Sequence, residues 1–154
     1  MDELSKITEL DQSELLLSIE EYQREIIEFF LADTNNDFFA SADKWLNATT
    51  ANTAKFGGKT NKAKIYREKL LDEVEKFLCG DQQYDDDRAK ISESADKTKE
   101  YIIGVMSVAI GNVIGTAGTF IAPVIVLLIM SMGKMGMKAW CEMRKEIKTQ
   151  DTEI

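Results

Sequence analysis

The 154-residue chain has no histidine, a single proline, two cysteines, and no charged residue at all between Tyr101 and Gly133. Each scarcity excludes something. Without histidine the usual general base at neutral pH is missing. Zinc sites built from His and Cys together, or from four Cys, cannot be assembled either. Cys79 and Cys141 stand 62 residues apart behind an acidic N-terminus (Met1 to Lys6) that has no apolar leader. The pair is therefore not expected to form a disulfide framework, and the first 100 residues are expected to be cytoplasmic. No metal, cofactor or catalytic residue is expected, and the chain reads as a non-enzyme.

Basic residues are scarce as well. The first 100 residues carry 14 Lys or Arg against 23 Asp or Glu, which argues against nucleic acid as a partner, because phosphate backbones are bound by basic patches. The imbalance is segregated. Residues 1–43 hold 12 acids with only Lys6 and Arg24, whereas residues 44–69 hold seven Lys or Arg with only Glu68. One reading places the acidic helix beside the basic stretch, so that they offset each other. The other lays Lys55, Lys59, Lys62, Lys64 and Arg67 on anionic lipid.

What the chain does have is helical periodicity. Asp11 with Glu14 has the spacing of a capping box. Leu15, Ile19, Tyr22, Ile26, Phe29 and Phe30 then recur at helical spacing, and predict one amphipathic helix that stops at Asp33, Thr34, Asn35 and Asn36. A second helix is expected from Asp37, presenting Phe38, Phe39, Ala42, Trp45 and Leu46, with a break at Phe56, Gly57 and Gly58. A third, after Thr60 or Asn61, shows Tyr66, Leu70, Val74 and Phe77 on one face and meets Gly80 at its end. Asp85, Asp86 and Asp87 place negative charge at a helix N-terminus. Ile91, Ala95, Thr98 and Ile102 continue that helix, with nothing to separate it from the apolar run. No strand and no internal repeat is predicted.

The uncharged run, Tyr101 to Gly133, decides the functional reading. A bilayer crossing needs about 20 apolar residues. One straight helix of this run is about 48 Å long, more than a crossing needs, yet too short for two crossings and a turn. Three arrangements compete: one transmembrane helix kinked at Pro123, a hairpin folding near Gly111 to Gly118 (shallow in a leaflet, or buried until released), and a central helix of a large bundle. The first is the expectation taken forward. The flanking charge does not orient it, since Arg88, Lys90, Lys97 and Lys99 precede it and Lys134, Lys138, Arg144, Lys145 and Lys148 follow.

On a helical wheel Gly104, Gly111, Gly115, Gly118 and Ala122 form one small-residue stripe, with a GxxxG at Gly111 and Gly115 that suits helix packing in lipid. Asn112, Thr116 and Thr119 form a neighbouring polar stripe. The plain reading is packing, with the polar groups bonded across helices. The sharper one is a ring of helices with those three residues lining a lumen. Trp140 with Lys134 and Lys138 has the pattern of a membrane–water interface.

Motifs suggestive of chemistry fail on inspection. Gly58, Lys59 and Thr60 lack the first glycine of a phosphate loop, since position 53 is Thr53. Asp33, Asn35 and Asp37 are followed by Phe38 and Lys44 where a calcium loop needs Gly and Glu. Asn47 to Thr49 is a glycosylation sequon without an export signal. The SxxK pattern occurs at Ser41, Ser94 and Ser131 without companions.

The sequence thus predicts an all-α protein. A helical bundle (1–100) leads through a long helix into one membrane-inserting glycine-rich segment (101–133), followed by an interfacial amphipathic tail (134–154). The expected function is that of a small effector in the cell membrane. It self-associates through the glycine stripe and permeabilises the bilayer, as toxin-like or defence-type proteins do. The alternative is a membrane-anchored adaptor, or an accessory subunit of a larger complex, whose bundle binds a protein partner. The lipid bilayer and further copies of the chain are the expected partners. An apolar hairpin within a helical bundle resembles pore-forming toxins in general, at the level of fold only.

Overall fold

Helix boundaries in this chain fall where short polar side chains compete for backbone groups. The computed structural model describes residues 2–48, 60–96, 98–133 and 135–153, and every regular element among them is helical. The first are α1 (Asp2–Ile7) and α2 (Gln12–Leu16). The Asp11 capping box forms as expected: Asp11 Oδ1 accepts from the Glu14 N–H at 2.9 Å, and Glu14 Oε1 accepts from the Asp11 N–H at 3.4 Å.

The predicted single helix through Leu15 and Phe30 is instead two. The chain breaks after Leu16, and α3 (Glu21–Asp33) starts afresh. The break resets the register. Leu15 and Ile19 are buried, but α3 turns Gln23, Ile27 and Leu31 inward and leaves Tyr22 (57%), Ile26 (37%) and Phe29 (66%) exposed. The stop at Asp33 to Asn36 is where expected, with Asn35 and Asn36 both at positive φ. Helix α4 (Phe38–Ala48) is capped by Asp37, whose Oδ1 accepts from the Ala40 N–H, and buries Ala42, Trp45 and Leu46. The predicted break at Phe56 to Gly58 lies outside the described residues, as do Lys55 and Lys59.

Helix α5 (Thr60–Cys79) buries the predicted face of Tyr66, Leu70, Val74 and Phe77, and ends at Gly80 with φ +93°. A 3-10 turn (Gln82–Tyr84) leads into α6 (Asp85–Glu93). The expected continuity from α6 into the apolar run does not hold. The helix stops before Ser94, whose Oγ accepts from the Asp96 N–H. Asp96 Oδ1 accepts from the Thr98 N–H, and Thr98 Oγ1 caps the Tyr101 N–H of α7 (Lys99–Ile114). These three side chains offer the backbone an alternative to helix. The same bond holds the Asp96 carboxyl below its ordinary pKa.

The apolar run is itself broken. Gly115, at φ +86°, ends α7 in the left-handed conformation that glycine adopts without a Cβ penalty. Helix α8 (Gly118–Met130) leaves at a bend of 112°. One straight helix through Pro123 is thus replaced by a hairpin turning between Gly115 and Gly118. No single helix among the described residues is long and apolar enough to cross a membrane, although the bent pair is, by length and composition. After Gly133 and Gly136, both at positive φ, α9 (Met137–Glu153) packs on α5.

Helix α8 occupies the centre, against α7, α4, α5, α2 and α3. Every side chain from Phe120 to Met130 except Ala122 is buried, and Val124 to Leu128 are wholly inaccessible. The cysteines correct another expectation: Cys79, at the end of α5, is disulfide-bonded to Cys141 of α9, with Cα atoms 5.7 Å apart. The expectation rested on the 62-residue separation and the lack of an apolar leader, and neither says whether two cysteines meet in space.

Candidate functional site

The hairpin α7–α8 is the candidate site, and its geometry begins with two glycines. A Cβ on Gly111 would stand 2.4 Å from the Thr116 carbonyl oxygen and 3.2 Å from the Gly118 nitrogen. One on Gly118 would stand 3.0 Å from the Val108 nitrogen and 3.1 Å from the Ser107 carbonyl oxygen. Both helices therefore meet backbone to backbone at the turn, which only glycine permits. Gly104 and Gly115 have no atom within 4 Å of such a Cβ, and Ala122 is half-buried. Of the small-residue stripe, Gly111 and Gly118 are engaged inside the hairpin, Gly115 supplies the turn, and Gly104 faces outward.

The polar stripe is dispersed as well. Asn112 is exposed. The Thr116 hydroxyl shares a hydrogen bond with the Tyr66 hydroxyl of α5, and burial raises the Tyr66 pKa above its ordinary value. Thr119 is exposed, and its carbonyl is the acceptor for Gln23 Nε2 at 2.7 Å. In this form the three residues share no common lining. Trp140 is 3% exposed, with the Arg144 guanidinium 6.0 Å from its ring, and Lys138 is exposed. Lys134 lies outside the described residues.

Gln23, which sequence periodicity did not single out, and Trp45, which it placed on the face of the second helix, hold the hairpin to the bundle. Pro123 has no N–H, so the Thr119 carbonyl four residues back loses its helical partner. The amide of Gln23, 2% exposed on α3, takes that place. One residue on, the Trp45 indole N–H of α4 donates to the Phe120 carbonyl at 2.8 Å, and the two rings lie 6.0 Å apart. A buried glutamine at the spacing of Ile27 and Leu31 is the signal the sequence carried. The orphan carbonyl it serves is predictable from Pro123, but the pairing of the two is not.

The surface around the site is uneven in charge. Asp43 with Arg67 at 2.8 Å and Asp33 with Lys44 at 2.9 Å join part of the acidic segment to part of the basic one. Glu21, Glu25 and Glu28 of α3 belong to no ion pair among the described residues. Beyond Glu100 the outer face of α7 exposes Gly104, Val108, Asn112 and Val113, with no further charge. Among the described residues no group of three or more His, Cys, Asp or Glu is placed to hold a metal. The chain matches no protein-family model, no curated protein and no solved structure.

Proposed function

We propose that this protein is a small membrane effector that stores an apolar hairpin inside an amphipathic bundle and releases it into a bilayer. The observation that carries the reading is α8. It is thirteen residues without a charge, buried from Phe120 to Met130 apart from the half-buried Ala122, and joined by a glycine turn to a second helix uncharged from Tyr101 onward. Transfer from bundle to lipid keeps apolar side chains in an apolar medium and leaves backbone groups paired within each helix. At 1.5 Å per residue α7 is about 24 Å long and α8 about 20 Å, so each falls short of a hydrocarbon core of about 30 Å. The pair enters one leaflet as a hairpin, or spans the bilayer after straightening at Gly115.

On insertion the packing of Gly111 and Gly118 passes from within the chain to contacts between copies. Asn112, Thr116 and Thr119 then turn toward one another in a water-filled assembly, and the product is a permeability defect in the cell membrane. No residue acts catalytically in this reading, and the N-terminal bundle remains on the face from which the hairpin enters. The test is dye release from vesicles by purified protein, with alkaline extraction of the same sample. Wild type is expected to release dye and resist extraction. Asn112→Leu, at an exposed position, is expected to stay inserted and release far less. Protein that is fully extracted by alkali and releases nothing contradicts the proposal.

A second reading, a membrane-anchored adaptor, is favoured by one observation. Tyr22, Ile26 and Phe29 form an exposed apolar stripe on α3 beside Glu21, Glu25 and Glu28, the pattern a basic amphipathic helix of a protein partner fits. Replacing Tyr22 and Phe29 by Ser leaves vesicle release intact under the effector reading. Under the adaptor reading it abolishes the cellular effect.

A further inference from the structure

We infer that the Cys79–Cys141 disulfide is a reducible clasp that holds the hairpin in the bundle, opened by a dithiol. The inference rests on the membrane reading above only for its consequence, not for the clasp itself. Three features of the bond's position support it.

The first is what the bond encloses. The hairpin α7–α8 lies wholly within the 62-residue separation that the disulfide closes. The chain entering that loop is already fastened at the end of α5. The Arg88 guanidinium of α6, itself buried, donates to the Phe77 carbonyl at 2.9 Å, to the Asp81 carbonyl, and to Asp85 Oδ1. The chain leaving the loop reaches α9, and Cys141 is bonded to that same end of α5. Both arms of the hairpin thus return to one point, and the disulfide is the covalent half of the anchor.

The second is that everything else holding α9 is non-covalent. Arg144 and Lys148 reach Asp72 and Glu75 of α5 at 2.9 to 3.6 Å. Asp72 and Lys148 are about half exposed, so their pair is solvent-screened and weak, whereas Arg144 and Glu75 are each 15% exposed and form the firmer pair. The buried ring of Trp140 is the main apolar contact, next to Cys141 in the chain. Cutting the disulfide leaves α9 held by non-covalent contacts alone, namely Trp140, Met137 and Met143 against the core and the ion pairs to α5.

The third is access. Cys79 is exposed, and Leu78, Cys79, Gly80, Arg88, Met137 and Cys141 line an open groove of about 780 Å³. A thiolate of the dithiol attacks Cys79 Sγ along this groove, forming a mixed disulfide and expelling Cys141 as its thiolate. The second thiol of the reductant then attacks the mixed disulfide, which releases Cys79 and leaves the reductant as a disulfide. Two electrons and two protons pass from the dithiol to the two cysteines.

With α9 free, the covalent link between the exit of the hairpin and α5 is gone, and the hairpin is held by its packing and by Gln23 and Trp45. Trp140 emission is taken as the difference between the protein and its Trp140→Phe variant, which leaves Trp45 and its bond to the Phe120 carbonyl in place. Full-length oxidised protein and the same protein with dithiothreitol are compared for Trp140 emission and for dye release from phosphatidylglycerol-containing vesicles. Cys79→Ser/Cys141→Ser is run alongside, with helix content checked by circular dichroism. Reduction is expected to shift Trp140 emission to the red and raise the release rate by about tenfold or more. The double variant is expected to behave as reduced protein with or without dithiol. A Trp140 shift without release upholds the clasp and overturns the membrane reading. Equal release and unchanged Trp140 emission in both redox states overturn the clasp and leave the membrane reading standing. Two titratable thiols in protein never exposed to reductant also overturn it.

Discussion

Glycine positions separate packing from flexibility most cleanly. Gly104 is helical and exposed, with open space where a Cβ would go. Gly104→Ala is therefore expected to stabilise the fold by roughly 0.5–1 kcal/mol, by restricting the unfolded chain. Gly111→Ala places a methyl 2.4 Å from the Thr116 carbonyl oxygen and is expected to cost about 1–3 kcal/mol, because backbone must move. Urea denaturation of the two variants checks the contrast, which a uniform glycine stripe facing lipid does not predict. Tyr84 offers a test by pH. Its hydroxyl donates to Glu73 Oε1 at 2.6 Å, and burial first, then the Glu73 carboxylate, raises its pKa far above the ordinary 10.0. Above pH 10 the unfolded chain gives up this proton while the folded chain keeps it. Stability contributed below that pH is then lost as pH rises. Tyr84→Phe is expected to flatten the alkaline part of a stability profile while costing about 1 kcal/mol at neutral pH.

At the scale of elements, legibility followed the type of signal. The capping box at Asp11, the stop at Asn35 and Asn36, the inner face of α5 and the end at Gly80 all come from short-range stereochemistry, and all stand in the structure. The split between α2 and α3 was not legible, because Leu15, Ile19, Tyr22 and Ile26 satisfy a helical period that the chain does not follow. The break at Ser94 to Thr98 lacks Gly and Pro and rests on side-chain bonds to the backbone. The hairpin was one of three arrangements the length of the run allowed, and Gly115 with Gly118 marked its turn. Nothing local pointed to the clasp between Cys79 and Cys141, since tertiary approach alone makes it. The tie between Gln23 and Thr119 is testable here. Gln23→Leu fills the site but leaves the Thr119 carbonyl without its donor, and is expected to cost about 1–3 kcal/mol by thermal denaturation.

For the whole molecule, two halves of the account meet in α8. Its burial explains why a chain with a long uncharged run folds as an all-helical bundle, and its composition is what makes release into lipid the proposed activity. Val108 offers the most direct test of that proposal. It sits on the outer face of α7 and is 57% exposed, so Val108→Lys leaves the bundle's core untouched. In a bilayer the same lysine opposes insertion by about 2.5–3.5 kcal/mol at mid-depth. The measurement is dye release from vesicles by reduced wild-type and Val108→Lys protein of equal thermal stability. The account predicts release by wild type and a loss of roughly tenfold or more in the variant. Equal release by both, or none by wild type, contradicts the claim that this hairpin enters the membrane.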